Sequence, residues 1–130
     1  MKKLYCIECK KLTIHIPKMD ALKDGKMVCE ECSHMNSYCT LFKSGEPNFI
    51  KTSREVKFVE WNENKSYKND YNNPALNLSL VMSPFNDFYT WMTTIIDEII
   101  EEREGYVKFK TTNSEYELYY TEIYKPNGEQ

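Results

Sequence analysis

The sequence predicts a small α+β or mainly β protein. An N-terminal metal-binding module (residues 1–43) precedes an antiparallel β-meander or hairpin domain (44–130), with a possible helix at 85–104. Three observations lead there. Two Cys-x2-Cys pairs, Cys6/Cys9 and Cys29/Cys32, are separated by 19 residues near the N-terminus. The runs Tyr106–Lys110 and Tyr116–Tyr124 flank the turn Thr112-Asn113-Ser114, which is a hairpin signal. A chain of 130 residues with 41% hydrophobic content can build one modest core beside such a module.

The cysteine pairs carry the chemistry. A Cys-x2-Cys turn puts two sulfurs on one side of a tight knuckle, and two knuckles close a tetrahedron. Four thiolates suit a soft-ligand, spherical divalent ion, best met by zinc. Leu4-Tyr5 and Met27-Val28 lead into the pairs as short β entries. Lys10, Lys11 and Lys26 offset the two negative charges of such a site. A segment of about 40 residues buries too little apolar surface to fold alone, so the metal supplies its folding free energy. Disulfide pairing is the competing reading. It leaves Cys39 odd, and Met1-Lys2-Lys3 leads into Glu8 and Lys10 rather than into the apolar stretch of a secretory signal. A rubredoxin-like iron site uses the same knuckles, but Lys10 and Ser33 stand where such sites want glycine. His15 and His34 are surplus to a four-sulfur tetrahedron. His34 sits two residues after Cys32 and can donate a hydrogen bond to a sulfur. Cys39 reads as a buried apolar residue.

On these residues, the stretch 4–40 resembles a zinc ribbon, the four-cysteine family of transcription factors, topoisomerase tails and ribosomal proteins. Cys9-Lys10-Lys11-Leu12-Thr13-Ile14-His15 is similar to the Cys-x3-Thr-x-His stretch of some ribosomal and phage ribbons. The resemblance implies a non-catalytic scaffold that binds nucleic acid or a protein handling it. It departs from the family at Ser33, where the usual residue is glycine.

In the second part, Ser44-Gly45-Glu46-Pro47 is a turn and a candidate domain boundary. Arg54–Trp61 alternates as a strand. Residues 62–73 hold five Asn and no aliphatic side chain, so a loop is expected, with Tyr67 and Tyr71 as candidate partner anchors. Residues 76–82 are strand-like. In 85–104, Phe88, Met92, Ile95, Ile96 and Ile99 form a helical stripe, whereas Thr93-Thr94-Ile95-Ile96 and Ile99-Ile100 are β-branched and favour a strand. Thr111-Thr112-Asn113-Ser114-Glu115-Tyr116-Glu117-Leu118 resembles a signature of short phage proteins in which the segment before the hairpin is a strand. That tips the expectation toward a meander from about Thr93. On the last strand, Tyr116, Leu118, Tyr120 and Tyr124 face one way and Tyr119 and Ile123 the other. Tyr119 is then an exposed candidate for partner contact unless loop 62–73 covers it.

Charge and missing motifs bound the function. Residues 1–43 carry eight Lys and five acidic residues, net +3; residues 44–130 carry nine basic and fifteen acidic residues, net −6. Four thiolates around zinc add −2, leaving the module near +1. Such a chain is a poor stand-alone duplex binder, because non-specific affinity comes from cations on phosphates. A basic, nucleic-acid-handling protein is the better partner, met through acidic residues such as Glu101 and Glu102. Direct nucleic-acid binding through Lys10, Lys11, Lys18, Lys23 and Lys26 is the alternative. The acidic run 97–104 has no accompanying His or Arg constellation, and no nucleophile triad or phosphate loop is present. The expectation is therefore no enzyme, with a small metal-dependent nuclease as the remaining alternative. Composition rich in Lys, Asn, Ile and Tyr suits an AT-rich genome, a low-GC bacterium or its phages. A modulator of host transcription or of a CRISPR-type defence complex fits that setting. No apolar run of membrane-spanning length occurs, and five cysteines without a signal point to a host bacterial cytoplasm.

Overall fold

The computed structural model describes residues 2–18, 25–82 and 91–121, and every regular element among them is a β-strand. Four strands form a ribbon sheet: β1 (Lys2–Cys6), β2 (Lys11–Pro17), β3 (Lys26–Cys29) and β4 (Met35–Ser37), in the order β1-β2-β3-β4. Eight form the second sheet: β5 (Cys39–Lys43), β6 (Glu46–Ser53), β7 (Val56–Trp61), β8 (Tyr67–Tyr71), β9 (Ser79–Met82), β10 (Trp91–Arg103), β11 (Tyr106–Thr111) and β12 (Glu115–Tyr120). Its order is β6-β5-β12-β11-β10-β9-β7-β8, and every pairing is antiparallel.

The α+β expectation is corrected at 85–104. Residues 85–90 lie outside the described residues, and Trp91–Arg103 is one strand of 13 residues. The strand expected from about Thr93 is present, and the helix-like stripe has its cause in the ladder. Its register shifts between Met92 and Ile95, between Ile96 and Glu98, and between Ile99 and Glu101. Each bulge inserts one residue, so the period of two becomes a spacing of three. The inward side chains are then Thr93, Ile96 and Ile99. An i, i+3 spacing imitates a helix while the β-branched residues keep the chain extended. Thr93 mends the broken ladder: its hydroxyl accepts the Leu80 N–H at 3.1 Å and donates to the Thr94 carbonyl at 2.8 Å.

Strand pairing also places Ser44-Gly45 and the stretch 62–73. Ser44-Gly45 is the hairpin turn between β5 and β6, and β5 pairs with β12, so Cys39–Lys43 belongs to the second sheet. The polar stretch 62–73 is a loop only in part. Asn62–Ser66 turns the chain, with Lys65 at φ 67°, and β8 then returns along β7. The open edge of β7 satisfies this polar backbone, and Glu60 accepts a hydrogen bond from Tyr71 (2.8 Å) and an ion pair from Lys68 (3.3 Å).

The eight-stranded sheet curls so that strands that are not neighbours in it meet across its inside. Phe49 of β6 lies edge-on to Trp91 of β10 at 5.1 Å, and Phe58 of β7 meets Tyr120 of β12 at 6.4 Å. Leu41, Phe58, Leu80, Met82, Ile96, Val107, Phe109 and Leu118 fill the inside. Leu4 and Met27 of the ribbon join the same cluster, so the two sheets share one core. They approach closely at Gly25, whose φ of +70° and position 2.8 Å (from an added Cβ) to the Arg54 Cα leave no room for a side chain.

Candidate metal centre

The knuckles build the site. β1 ends at Cys6 and β3 at Cys29, and each chain then turns tightly. The Lys10 N–H closes the first turn on the Cys6 carbonyl at 2.7 Å, and the Ser33 N–H closes the second on the Cys29 carbonyl at 2.8 Å. Lys10 and Ser33 have φ of 58° and 67°, so these two L-residues take the left-handed conformation that favours glycine. The two turns are the same structure made twice.

They bring Cys6, Cys9, Cys29 and Cys32 together, with all four sulfurs within 4.8 Å of one another. Cys6 Sγ lies 3.5 Å from Cys32 Sγ, and Cys9 Sγ 3.9 Å from Cys29 Sγ. Metal–sulfur distances of about 2.3 Å in a tetrahedron require sulfur–sulfur separations of about 3.8 Å. The donor set therefore fits a tetrahedral ion, and these four residues can hold one. His15 and His34 are not part of the cluster.

Hydrogen bonds set the charge on the sulfurs. Burial pushes the Cys29 thiol up, but the Thr13 hydroxyl at 3.1 Å and the backbone of Cys32 and Glu31 outweigh it, and its pKa falls to about 6. Cys9 goes the other way, to about 12: its hydrogen bond with Cys32 comes first, then burial, then Cys6 and Cys29. Cys9 therefore keeps a proton that a metal must displace. His34 contributes through its backbone rather than its ring: it bonds Cys32, and its carbonyl accepts the Cys29 N–H at 2.9 Å.

A second layer was not legible from the cysteine motif. Asn36 and His15 are fully buried under the site. The Ile7 N–H donates to Asn36 Oδ1 (3.1 Å), Asn36 Nδ2 donates to His15 Nε2 (2.8 Å), and His15 Nδ1 donates to the Thr13 carbonyl (2.9 Å). The chain of bonds starts in the first knuckle and reaches Cys29 of the second through the Thr13 hydroxyl. Each partner has one role only, so the His15 proton is placed on Nδ1. Burial holds the His15 pKa below its ordinary value, against the Thr13 backbone bond and with His34 acting in the same direction as burial. Cys39, as expected, is buried, and burial pushes its thiol up to about 12.

No protein-family model, curated protein or solved structure matches the chain. The likeness to a zinc ribbon therefore rests on the knuckles and their geometry.

The five residues singled out for partner contact lie on three strands, β8, β10 and β12. Tyr67 and Tyr71 are exposed on the edge strand β8, where Tyr67 donates to Asp70. Glu101 and Glu102 are exposed on β10. Glu101 pairs with Arg103 and stands across from Lys108. Tyr119 is half-buried. Its ring centroid lies 4.8 Å from that of Tyr5 on the ribbon and 4.9 Å from that of Tyr106, so the ribbon rather than loop 62–73 covers it. Sequence reasoning missed a different surface. On β2, Leu12, Ile14 and Ile16 point away from the core and are 40–43% exposed, while Thr13 and His15 point in. Ile16 is in register with Val28, and Val28 with Met35, which extends the apolar face across three strands. The alternation in Lys11–Pro17 was the available signal. Among the described residues, no helix is long and apolar enough to cross a membrane.

Proposed function

We propose that this chain is a non-enzymatic zinc-ribbon protein that acts by binding another protein. The carrying observation is the exposed apolar face of Leu12, Ile14, Ile16 and Met35 on a sheet held by a metal-ligand cluster. A contiguous exposed apolar face marks interaction surfaces, and the knuckles stiffen this one before any partner arrives. Zinc is the metal assigned, because four sulfurs at tetrahedral spacing favour it. Four protein ligands leave no open position for a substrate or an activated water, so the metal's role is structural. The net −6 of residues 44–130 favours a basic, nucleic-acid-handling protein over a duplex. A phage or mobile-element modulator of a host transcription or CRISPR-type complex is the biological setting this charge and composition suit.

The test is capture from a low-GC bacterial lysate with zinc-bound protein, followed by binding measurements on the purified partner. Replacing Leu12, Ile14 and Ile16 with Thr is expected to weaken binding by at least about tenfold, in the range of interface anchors, while zinc content stays at one per chain. Undiminished binding by that variant would overturn the proposal. A steep salt slope toward duplex DNA would instead favour nucleic-acid binding through the ribbon lysines.

A further inference from the structure

Where the ribbon meets the β5–β12 face there is a cleft of about 330 Å³. Three aromatic rings from three strands line it: Tyr5 of β1, Phe42 of β5 and Tyr119 of β12. The Tyr5 and Tyr119 planes are inclined by only 32°, so together they make one wall. Phe42 stands across them at 72° to Tyr5 and 84° to Tyr119, with centroids 5.0 and 6.1 Å away, and makes a second wall. All three rings keep part of their surface open. The charged lining is Lys43, Glu46 and Glu117. Lys43 and Glu46 neutralise each other at 2.9 Å. The Glu117 carboxylate accepts the Tyr106 hydroxyl at 2.6 Å, and no salt bridge engages it among the described residues. The lining therefore carries one net negative charge beside a corner of π faces.

We propose that this cleft binds a cationic side chain, a lysine ammonium or arginine guanidinium, presented by the partner protein. Ring faces attract a cation through their quadrupole, and partial enclosure strengthens the attraction. Glu117 supplies the formal counter-charge, and its bond to Tyr106 keeps the carboxylate aimed. An anion meets a carboxylate here, and a neutral ligand gains nothing from it. The cleft is continuous with the apolar ribbon face, because Tyr5 is the cross-strand neighbour of Leu12. A partner seated on Leu12, Ile14 and Ile16 thus places a neighbouring residue at the cleft mouth. Tyr5 immediately precedes Cys6, so the metal knuckle holds the first wall in place. The inference names the partner's chemistry and rests on the protein-binding reading above.

The experiment needs no partner. Zinc-bound protein is titrated with acetyl-arginine amide, acetyl-lysine amide, the neutral isostere acetyl-citrulline amide and tetramethylammonium, while the ring NMR signals of Tyr5, Phe42 and Tyr119 are followed. Saturable shifts of all three rings with the arginine or lysine amide are expected, with citrulline at least about fivefold weaker, the scale of one cation–π and carboxylate contact. Glu117→Gln keeps an acceptor for Tyr106, so its melting temperature should hold while arginine affinity falls about fivefold. Phe42→Leu, which keeps bulk and removes the π face, should do the same. Equal binding of citrulline, or full arginine affinity in both variants, would overturn the proposal. Tighter binding of tetramethylammonium than of either amide would overturn the side-chain assignment in favour of a small quaternary ammonium. Failure of the ribbon-face variant to lose its partner leaves these titrations standing, so the two proposals fail separately.

Discussion

Thr13 is the residue that ties the four clustered cysteines to the rest of their sheet. Its hydroxyl stabilises charge on Cys29, and its carbonyl orients His15. Thr13→Val keeps the shape and removes the hydroxyl, so zinc affinity should fall by about tenfold or more, as for other lost partners of metal ligands. A chelator competition measures it. The Cys29 thiol then returns upward from about 6, and the pH at which half the zinc is lost should rise. His15 adds a second pH effect of the same sign. Its folded pKa is depressed, so the unfolded chain binds the proton more readily. Stability from neutral His15 is present above its ordinary value near 6.5 and is lost as pH falls below it. His15→Gln should flatten that slope in pH-dependent melts. Asn36→Ala leaves the half-buried Ile7 N–H and the buried His15 Nε2 without their partner, at a cost of about 2 kcal/mol. An increase in ribbon stability for this variant in denaturant titrations would contradict the network.

At the scale of elements, β10 is the instructive strand. A helix would place Ile96 and Ile100 on one face, four residues apart. The bulged strand instead buries Ile96 completely and leaves Ile100 42% exposed. Ile96→Ala should therefore cost about 3 kcal/mol, and Ile100→Ala about 0.5 kcal/mol or less. Similar losses at both positions would speak for a helix. The acidic residues have structural partners too: Glu98 faces Lys110 and Glu101 faces Lys108 across the ladder. Reversing Glu101 to Lys creates a like-charge pair, so any slower association with a basic partner must be corrected for a small loss of sheet stability. β2 teaches the opposite lesson. Its alternation is regular, but three of its outward residues are apolar, and the face they make stays exposed.

At the scale of the molecule, ribbon and eight-stranded sheet are not independent. Leu4 and Met27 share the core cluster with Leu41 and Phe58, and Tyr5 packs on Phe42 and Tyr119. Chelating a bound metal should remove hydrogen-exchange protection from residues 2–17 and 26–37 first. It should also lower the melting temperature of the remaining strands, because their shared core loses one wall. Unchanged melting of the second sheet after chelation would show that the cores are separable. Tyr119→Ala breaks the aromatic contact between the two parts and should cost about 2–3 kcal/mol of stability, seen as an earlier melt.

The cysteine spacing determined by itself that four sulfurs would meet, because a Cys-x2-Cys knuckle is a local structure. The hairpin at 106–120 was equally local: alternation and a polar turn suffice. The strand nature of β10 was decided by its neighbours, since only the ladders of β9 and β11 impose the bulges that turn a period of two into three. The polar stretch at Tyr67–Tyr71 became β8 because an open strand edge lay beside it. The burial of Tyr119 and the aromatic cleft needed Tyr5 and Tyr119 to meet from positions 114 residues apart. Short-range chemistry is written in adjacent residues; which surface stays open is decided by what the folded chain brings to lie across it.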